Sequence, residues 1–280
     1  MAPTYLEALS AFTTFLTAYT HTLLYLRSLY PRASFANSRF HNASVWQSRH
    51  PLVCEWIRDA VAAVREELLL GSVSRIGIVI FSLPENEATG SAKIMERYMF
   101  DTSRFPRVER SERNVEIEWE SSPEEEEEEE EALGGKRGRE RELDVDVDVN
   151  LSEQFRAAFM ALATRTTRLE PLPENCSFNI CMELRDEADV DPPIRHPQPW
   201  IPVQPSLQKT GRKATVRDEG EEEEREKGID EGEDLGGVKV TPVRSVEAGV
   251  FRFETWIEEG KEKFEKHSDS TRTSLNSSLA

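Results

Sequence analysis

The side chains best suited to chemistry in this sequence are three cysteines and five histidines, and their spacing forms no catalytic motif. Cys176 and Cys181 are five positions apart, so a strand would place their thiols on opposite faces, even with His196 nearby. Cys54, beside Trp56, is expected to be a packed thiol. No GxSxG, HExxH, phosphate-binding glycine loop or zinc-spaced cysteine set occurs. We therefore predict no enzyme, no cofactor and no metal, and a Cys/His metal-dependent hydrolase is kept as a remote alternative.

The acidic charge of the chain is concentrated in two segments. The formal net charge is −18, yet residues 109–148 contain 18 acidic and 6 basic side chains, and residues 209–238 contain 11 acidic and 6 basic ones. The remainder is almost neutral, and a neutral surface binds nucleic-acid phosphates poorly. We predict no direct contact with nucleic acid. Both acidic segments lack the apolar residues needed for a core, so we expect them to be flexible or disordered.

An uncharged stretch near the N-terminus, residues 8–26, is long enough to cross a bilayer but contains several Thr, Ser and His residues. Its apolar residues recur at alternating steps of four and three, which is typical of a buried amphipathic helix. We therefore predict no membrane span and no signal peptide. The residues on this stripe are Tyr5, Leu9, Phe12, Leu16, Tyr19, Leu23, Leu26 and Tyr30.

The order of predicted elements is typical of an α+β domain. Helix one ends before Pro31, residues 32–49 read as a connecting loop, and helix two begins at Pro51. A strand pair follows, and helix three begins at Asn150. Because the later strands follow without βαβ alternation, we predict an antiparallel sheet. The predicted strands are residues 75–81, 94–100, 176–184, 238–240 and 251–257.

Three tryptophans lie outside the apolar stripes. Trp56 is off the stripe of helix two, Trp200 lies among prolines, and Trp256 lies on the strand face opposite Phe251 and Phe253. One such tryptophan could simply complete the core. Three together favour a contact surface, where tryptophan contributes much of the binding energy.

Several short segments, in this order and spacing, resemble the HORMA domain family. More specifically, they resemble the accessory, non-catalytic subunits of DNA polymerase zeta, of a fungal type with acidic insertions. The resemblance covers about residues 1–107 and 150–260. The matching segments are residues 24–31 (LYLRSLYP), 50–51 (HP), 156–178, 199–201 (PWI), 241–243 (TPV) and 253–259 (FETWIEE).

This resemblance implies three helices packed on an antiparallel sheet, with a C-terminal safety belt that closes over a bound peptide. It implies a nuclear adaptor that captures a proline-containing peptide of the polymerase's catalytic subunit, with Trp56, Trp200 and Ile201 around the peptide. The peptide would add beside the sheet. A spindle-checkpoint HORMA protein that binds other belt peptides is the alternative.

The resemblance also implies two further contacts. Val240, Glu254 and Trp256 fall on the belt surface used by a Y-family scaffold polymerase, where animal members carry Leu, Gln and Tyr. Arg156 matches a helix-three arginine at the HORMA–HORMA dimer contact. The implied domain organisation is a first part (1–107), an acidic disordered insertion (108–149), a second part with the start of the belt (150–207), an acidic flexible insertion (208–237), belt strands (238–260) and a disordered tail (261–280).

Overall fold

The computed structural model of the protein describes residues 4–83, 92–115, 142–185, 200, 238–248, 251–261 and 263–264. Within them the chain forms three helices, a two-stranded hairpin and a five-stranded sheet. In chain order the elements are α1 (Tyr5–Leu26), a 3-10 turn (Arg32–Ser34), β1 (Phe35–Phe40), β2 (Ala43–Ser48), α2 (Pro51–Leu70), β3 (Val73–Ser82), β4 (Lys93–Asp101), α3 (Glu142–Thr166), β5 (Cys176–Leu184), β6 (Val238–Ala248) and β7 (Phe251–Gly260).

Helix α1 forms the centre of the core. Its N-terminus is a capping box in which the Glu7 N–H donates to Thr4 Oγ1 and the Thr4 N–H donates to Glu7 Oε2. The predicted apolar stripe is buried as far as Leu23, which is fully enclosed. The helix ends at Leu26, earlier than predicted, because Ser28 adopts a φ of 54° that a right-handed helix cannot continue.

The predicted connecting loop at residues 32–49 is wrong, because this segment contains the β1–β2 hairpin. His41 and Asn42 form its two-residue turn with φ values of 45° and 57°, which matches the right-handed twist of paired strands. Helix α1 packs against the hairpin and bonds to its backbone, since Thr22 Oγ1 accepts a hydrogen bond from the Trp46 N–H at 3.2 Å. A polar segment became a hairpin because a neighbouring helix satisfies its backbone.

The five-stranded sheet is antiparallel throughout and has the order β5-β3-β4-β7-β6. The helices cover one face, where Phe15 stacks on Phe155 with 4.5 Å between ring centroids and lies 5.7 Å from Phe253. The predicted α+β class is therefore confirmed. The central row of the buried face joins neighbouring strands through Ile180, Ile78, Tyr98 and Ile257.

Helix α3 begins at Glu142, eight residues before the predicted start at Asn150. Its buried residues are those that the helical spacing indicated, among them Phe155, Phe159 and Leu162. The division of the chain into domain parts, insertions and tail stays a prediction. Across the described ranges, no helix combines the length and apolarity needed to cross a membrane.

Candidate functional site

Strand β5 lies at one edge of the sheet and presents an ordered row of backbone groups there. The Leu83 N–H donates to the Asn175 carbonyl, and antiparallel ladders alternate between hydrogen-bonded and non-hydrogen-bonded pairs. The odd-numbered residues of β5 therefore bond to β3. The N–H and C=O groups of Phe178, Ile180 and Met182 point toward the outer edge. In the part of the chain that the structure describes, β5 forms a ladder only with β3.

A neighbouring side chain caps the centre of this row. The Ile180 N–H donates to Asn179 Oδ1 at 2.8 Å, while Asn179 itself is exposed. This contact agrees with the ladder register, because Ile180 is the residue whose N–H faces outward. A peptide strand that paired with β5 would have to displace the amide of Asn179 before it could reach this N–H.

Half-buried aromatic rings lie next to the β5 edge. Trp56 on α2 packs against Phe178 on β5 at 5.1 Å between centroids, with the ring planes at 81°. Tyr30, after the end of α1, contacts the same Phe178 ring at 6.5 Å. Burial raises the pKa of the Tyr30 hydroxyl above its usual value. We call Tyr30, Trp56 and Phe178 the aromatic cluster; the partial exposure of all three leaves ring surface available to a ligand.

The three predicted peptide-binding residues have different outcomes. Trp56 is half-buried, packs against the hydrophobic core and contacts Phe178 of the edge strand. Trp200 is half-buried and packs against the hydrophobic core. Ile201 lies outside the described residues. Their role in binding stays a prediction.

The predicted scaffold-polymerase residues lie on the sheet face away from the helices. Val240 pairs directly with Glu258, and Glu254 and Trp256 alternate with it along β7. Cross-strand partners and every second strand residue share a face, so the three form one surface. The predicted orientation of Trp256, opposite Phe251 and Phe253, is confirmed, since both phenylalanines are buried beneath the helices.

Trp256 is half-buried on this surface and is held by charged neighbours. Its Nε1–H donates to Glu258 Oε1 at 2.8 Å. The guanidinium of Arg75 lies 5.7 Å from the ring centroid. Glu258 in turn pairs with Arg97 at 2.7 Å. The indole therefore has a defined orientation, which lowers the entropy that a partner would have to remove on binding.

Arg156 lies on the exposed face of α3. Met160, one helical turn later on the same face, is 63% exposed. A large exposed apolar residue beside an arginine is typical of a contact surface. The assignment of Arg156 to a dimer contact remains a prediction.

The cysteines are placed as the sequence indicated. Cys176 packs against the core, whereas the Cys181 thiol lies on the opposite face of β5 against Gly77, so the two are on opposite faces as predicted. Burial raises the pKa of the Cys181 thiol to about 11, which keeps it protonated. Cys54 donates to the Ser48 carbonyl. Among the residues that the structure describes, no group of three or more His, Cys, Asp or Glu side chains is arranged to hold a metal ion.

Sequence reasoning did not single out Tyr30, Phe178 or Asn179 as site residues. Phe178 was placed only within a predicted strand. The available signal was an asparagine in the middle of an apolar strand, a residue type that is depleted there. Its explanation requires knowing that β5 is an edge strand, which only the sheet order provides.

Comparison with known proteins identifies three relatives, two of which have the same name. The "DNA polymerase zeta processivity subunit" of Schizosaccharomyces pombe is 37% identical over 102 residues, which are 36% of this chain and 45% of that protein. The protein of the same name from Arabidopsis thaliana is 23% identical over 181 residues, 65% of each chain. "Mitotic spindle assembly checkpoint protein MAD2B" of Gallus gallus is 26% identical over 101 residues, 36% of this chain and 44% of that protein. The matches span less than two thirds of each relative's length.

Solved structures share the fold. A chain in the crystal structure of the mitotic checkpoint complex superposes with a TM-score of 0.56 at 14% identity, over 90% of this chain and 97% of that one. The structure of C. elegans HTP-2 bound to the HIM-3 closure motif gives 0.50 at 11% identity, over 92% of each chain. The model of the HORMA domain matches residues 8–223, well over half of the sequence. The resemblance found in the sequence is therefore confirmed, and this chain belongs to the HORMA domain family.

Proposed function

We propose that this protein is the non-catalytic HORMA adaptor of DNA polymerase zeta and that it captures a proline-containing peptide of the catalytic subunit along the edge of β5. The names of the relatives from S. pombe and A. thaliana support the assignment to this polymerase. The adaptor would act in the nucleus, in DNA damage tolerance, and would perform no catalysis of its own.

The observation that carries the proposal is the outward backbone row beside the aromatic cluster. An added peptide strand gains main-chain hydrogen bonds from Phe178, Ile180 and Met182, and these do not depend on the peptide's sequence. Selectivity then comes from pockets. The partly exposed rings of Trp56 and Tyr30 suit proline residues, which are recognised in aromatic-lined grooves.

The topology supports a belt over this edge. The chain leaves the sheet at β5, on one edge, and re-enters it at β6, on the opposite edge. Residues 186–237 connect the two. The segment that follows β5 in sequence therefore joins the two opposite edges of the sheet, and the β6–β7 hairpin comes directly after it.

Two further contacts belong to the proposal. The surface formed by Val240, Glu254 and Trp256 would bind a Y-family scaffold polymerase, which the adaptor would bridge to the catalytic subunit. Val240 is 46% exposed, which fits a surface open to a partner. The exposed face of α3 around Arg156 would form a HORMA–HORMA dimer contact.

The decisive experiment measures amide hydrogen exchange of the full chain with and without peptides covering the catalytic subunit. Binding should protect the amides of Phe178, Ile180 and Met182. The amides of Asn179 and Cys181, already bonded to β3, serve as internal controls. Unchanged exchange at the three outward amides, together with measurable binding elsewhere, would contradict the proposal.

Substitutions test the aromatic residues in the same assay. Trp56→Ala and Trp200→Ala should each weaken peptide binding by more than about 2 kcal/mol, which raises the Kd roughly 30-fold. The matched control is Trp46→Ala, since Trp46 is also half-buried but stacks on Tyr25 at 3.8 Å, away from the cluster. Equal losses in all three variants would indicate a general packing effect. Binding of checkpoint peptides alone would favour the spindle-checkpoint alternative.

A further inference from the structure

Two buried carboxylates face each other across the seam between the body of the sheet and its last hairpin. Glu96 on β4 and Glu259 on β7 are direct cross-strand partners. Both side chains are 0% exposed. Cross-strand partners point to the same side of a sheet, and like charges placed opposite each other destabilise the pairing. The β4–β7 ladder therefore requires cations at this position.

Two cations supply the compensation from opposite ends of the chain. Arg27, just after α1, binds Glu96 through Nε to Oε2 at 2.9 Å and Nη2 to Oε1 at 2.6 Å. Lys263, beyond the last strand, lies 2.5 Å from Glu96 Oε1 and 2.5 Å from Glu259 Oε1. The Lys263 side chain is itself fully buried. Within the described ranges, Lys263 is the cation that bridges both carboxylates.

Glu259 has little other compensation. Its Oε2 atom is buried and accepts no hydrogen bond from the described residues. Lys239 Nζ lies 3.5 Å from that atom, which is an ion pair rather than a hydrogen bond, and the Lys239 side chain is 60% exposed. An exposed lysine is screened by water and contributes little. Removal of the Lys263 charge would leave two opposed carboxylates with Arg27 as their buried cation.

The cluster joins two parts of the molecule that meet at one seam. Arg27 and Glu96 belong to the body of the domain, whereas Glu259 and Lys263 belong to the β6–β7 hairpin and the residues after it. The hairpin pairs with the rest of the sheet through β4. Loss of one partner from a buried ion pair is strongly destabilising, because the remaining charge stays desolvated.

A second buried ion pair crosses the same seam on the other face of the sheet. Arg97 on β4 binds Glu258 on β7 at 2.7 Å, with side-chain exposures of 6% and 2%. A slip of one residue would move Glu258 and Glu259 to the wrong faces, away from Arg97 and Lys263. The two pairs therefore specify one register of β7 on β4.

We propose that Lys263 is a positioning residue that latches the β6–β7 hairpin onto β4, and that retention of a peptide under the belt depends on this latch. The peptide part rests on the proposed function. The latch itself concerns the protein alone and can be measured without a ligand.

The test is hydrogen exchange of the full chain without peptide, in the wild type and the Lys263→Met variant. Methionine has a similar length and no charge. The ladder alternation fixed by the bond from the Thr102 N–H to the Ser74 carbonyl directs the even-numbered N–H groups of β7 toward β4. The latch predicts that exchange at Trp256 and Glu258 on β7 rises about 100-fold, while Ile76 and Ile78 on β3 are unaffected, because the seam opens locally. Lys261→Met, which removes an exposed lysine two residues away, should leave β7 exchange unchanged.

Charge rescue separates the latch from simple packing. In the double variant Glu259→Gln, Lys263→Met one of the opposed carboxylates is neutral, so β7 exchange should return to within about 10-fold of the wild type. No change in the single variant, or a uniform increase in β3 and β7, would overturn the proposal. Should Lys263→Met fail to fold, a folded double variant supports the latch and an unfolded one overturns it.

Peptide dissociation is then measured separately. Wherever the wild type retains a peptide, Lys263→Met should release it at least 10-fold faster, and the double variant should reverse most of this change. Faster β7 exchange without faster peptide release would mean that Lys263 stabilises only the pairing of β7 with β4. It would overturn the claim that peptide retention depends on this contact. A wild type that binds no peptide would contradict the proposed function and leave the exchange result standing.

Discussion

The polar side chains of α1 serve the backbone of the neighbouring hairpin, and His21 shows how strongly this depends on protonation. His21 is buried, and its Nδ1 accepts a hydrogen bond from the Ser48 N–H at 3.4 Å. Only the form that is unprotonated at Nδ1 can accept this bond. Burial lowers the pKa of His21 to about 4. The folded protein therefore keeps the imidazole neutral.

This residue makes the free energy of unfolding pH-dependent. Between its ordinary pKa of 6.5 and the folded value of about 4, the unfolded chain binds a proton that the folded chain does not. The His21 contribution is thus complete above pH 6.5 and decreases as the pH falls toward 4. From pH 7 to pH 5 we expect a loss of about 2 kcal/mol.

Urea denaturation at the two pH values measures this loss. His21→Asn is the comparison, because an amide oxygen can occupy the acceptor position without titrating. The variant should show a smaller difference between pH 7 and pH 5. An equal difference in both proteins would mean that other groups cause the pH dependence.

At the scale of one element, β7 has two faces with separate tasks. Phe251, Phe253 and Ile257 close the core beneath the helices. Glu254 and Trp256 face away from it. Since alternate residues of one strand serve different surfaces, a substitution on the outer face should affect an outer partner and leave the core packing in place.

Trp256→Ala should therefore abolish binding of a Y-family scaffold polymerase while the catalytic-subunit peptide still binds β5. Pull-down of both partners with the same variant tests this. Trp256→Phe, which keeps a ring but loses the hydrogen bond to Glu258, should retain part of the binding. Loss of both partners, or of neither, would count against a separate interface on this face.

At the scale of the whole molecule, the boundary of the first acidic insertion can be drawn more closely. Arg113 donates from Nη2 to the Leu69 carbonyl at 2.6 Å, and its own carbonyl accepts from the Leu6 N–H. These contacts tie the residues after β4 to α1 and α2. Arg113 thus belongs with the folded domain, although it lies within the segment whose composition predicts disorder.

Deletion of 116–141 should leave the melting temperature and peptide binding unchanged, because this segment has too few apolar residues to contribute a core. Deletion of 111–147 removes Arg113 and the first turns of α3 as well. It should lower the melting temperature by several degrees, at about 2–4 °C per kcal/mol for a domain of this size. Thermal melts of both variants test these two expectations. Loss of the cooperative melt in the shorter deletion would show that residues 116–141 are part of the folded structure.

Periodicity alone predicted the helices and most strands, because residues on one face of a helix recur about every 3.6 positions and those on one face of a strand every 2 positions. It also gave the orientation of Trp256. Local pattern could not predict the β1–β2 hairpin, whose Trp46 N–H is satisfied by Thr22 of α1. The start of α3, eight residues before the predicted one, was also missed.

Identification of the site residues depended on the tertiary structure more than prediction of the helices and strands did. The sequence indicated Trp56 as a contact residue, but only the sheet order makes β5 an edge strand and turns Phe178 and Asn179 into site residues. Lys263 gave no sequence signal, since it lies in a polar tail. Its burial follows from two carboxylates, Glu96 and Glu259, that are 163 positions apart and become neighbours only when β7 pairs with β4. Contacts between residues distant in sequence have no period, so the folded chain alone decides them.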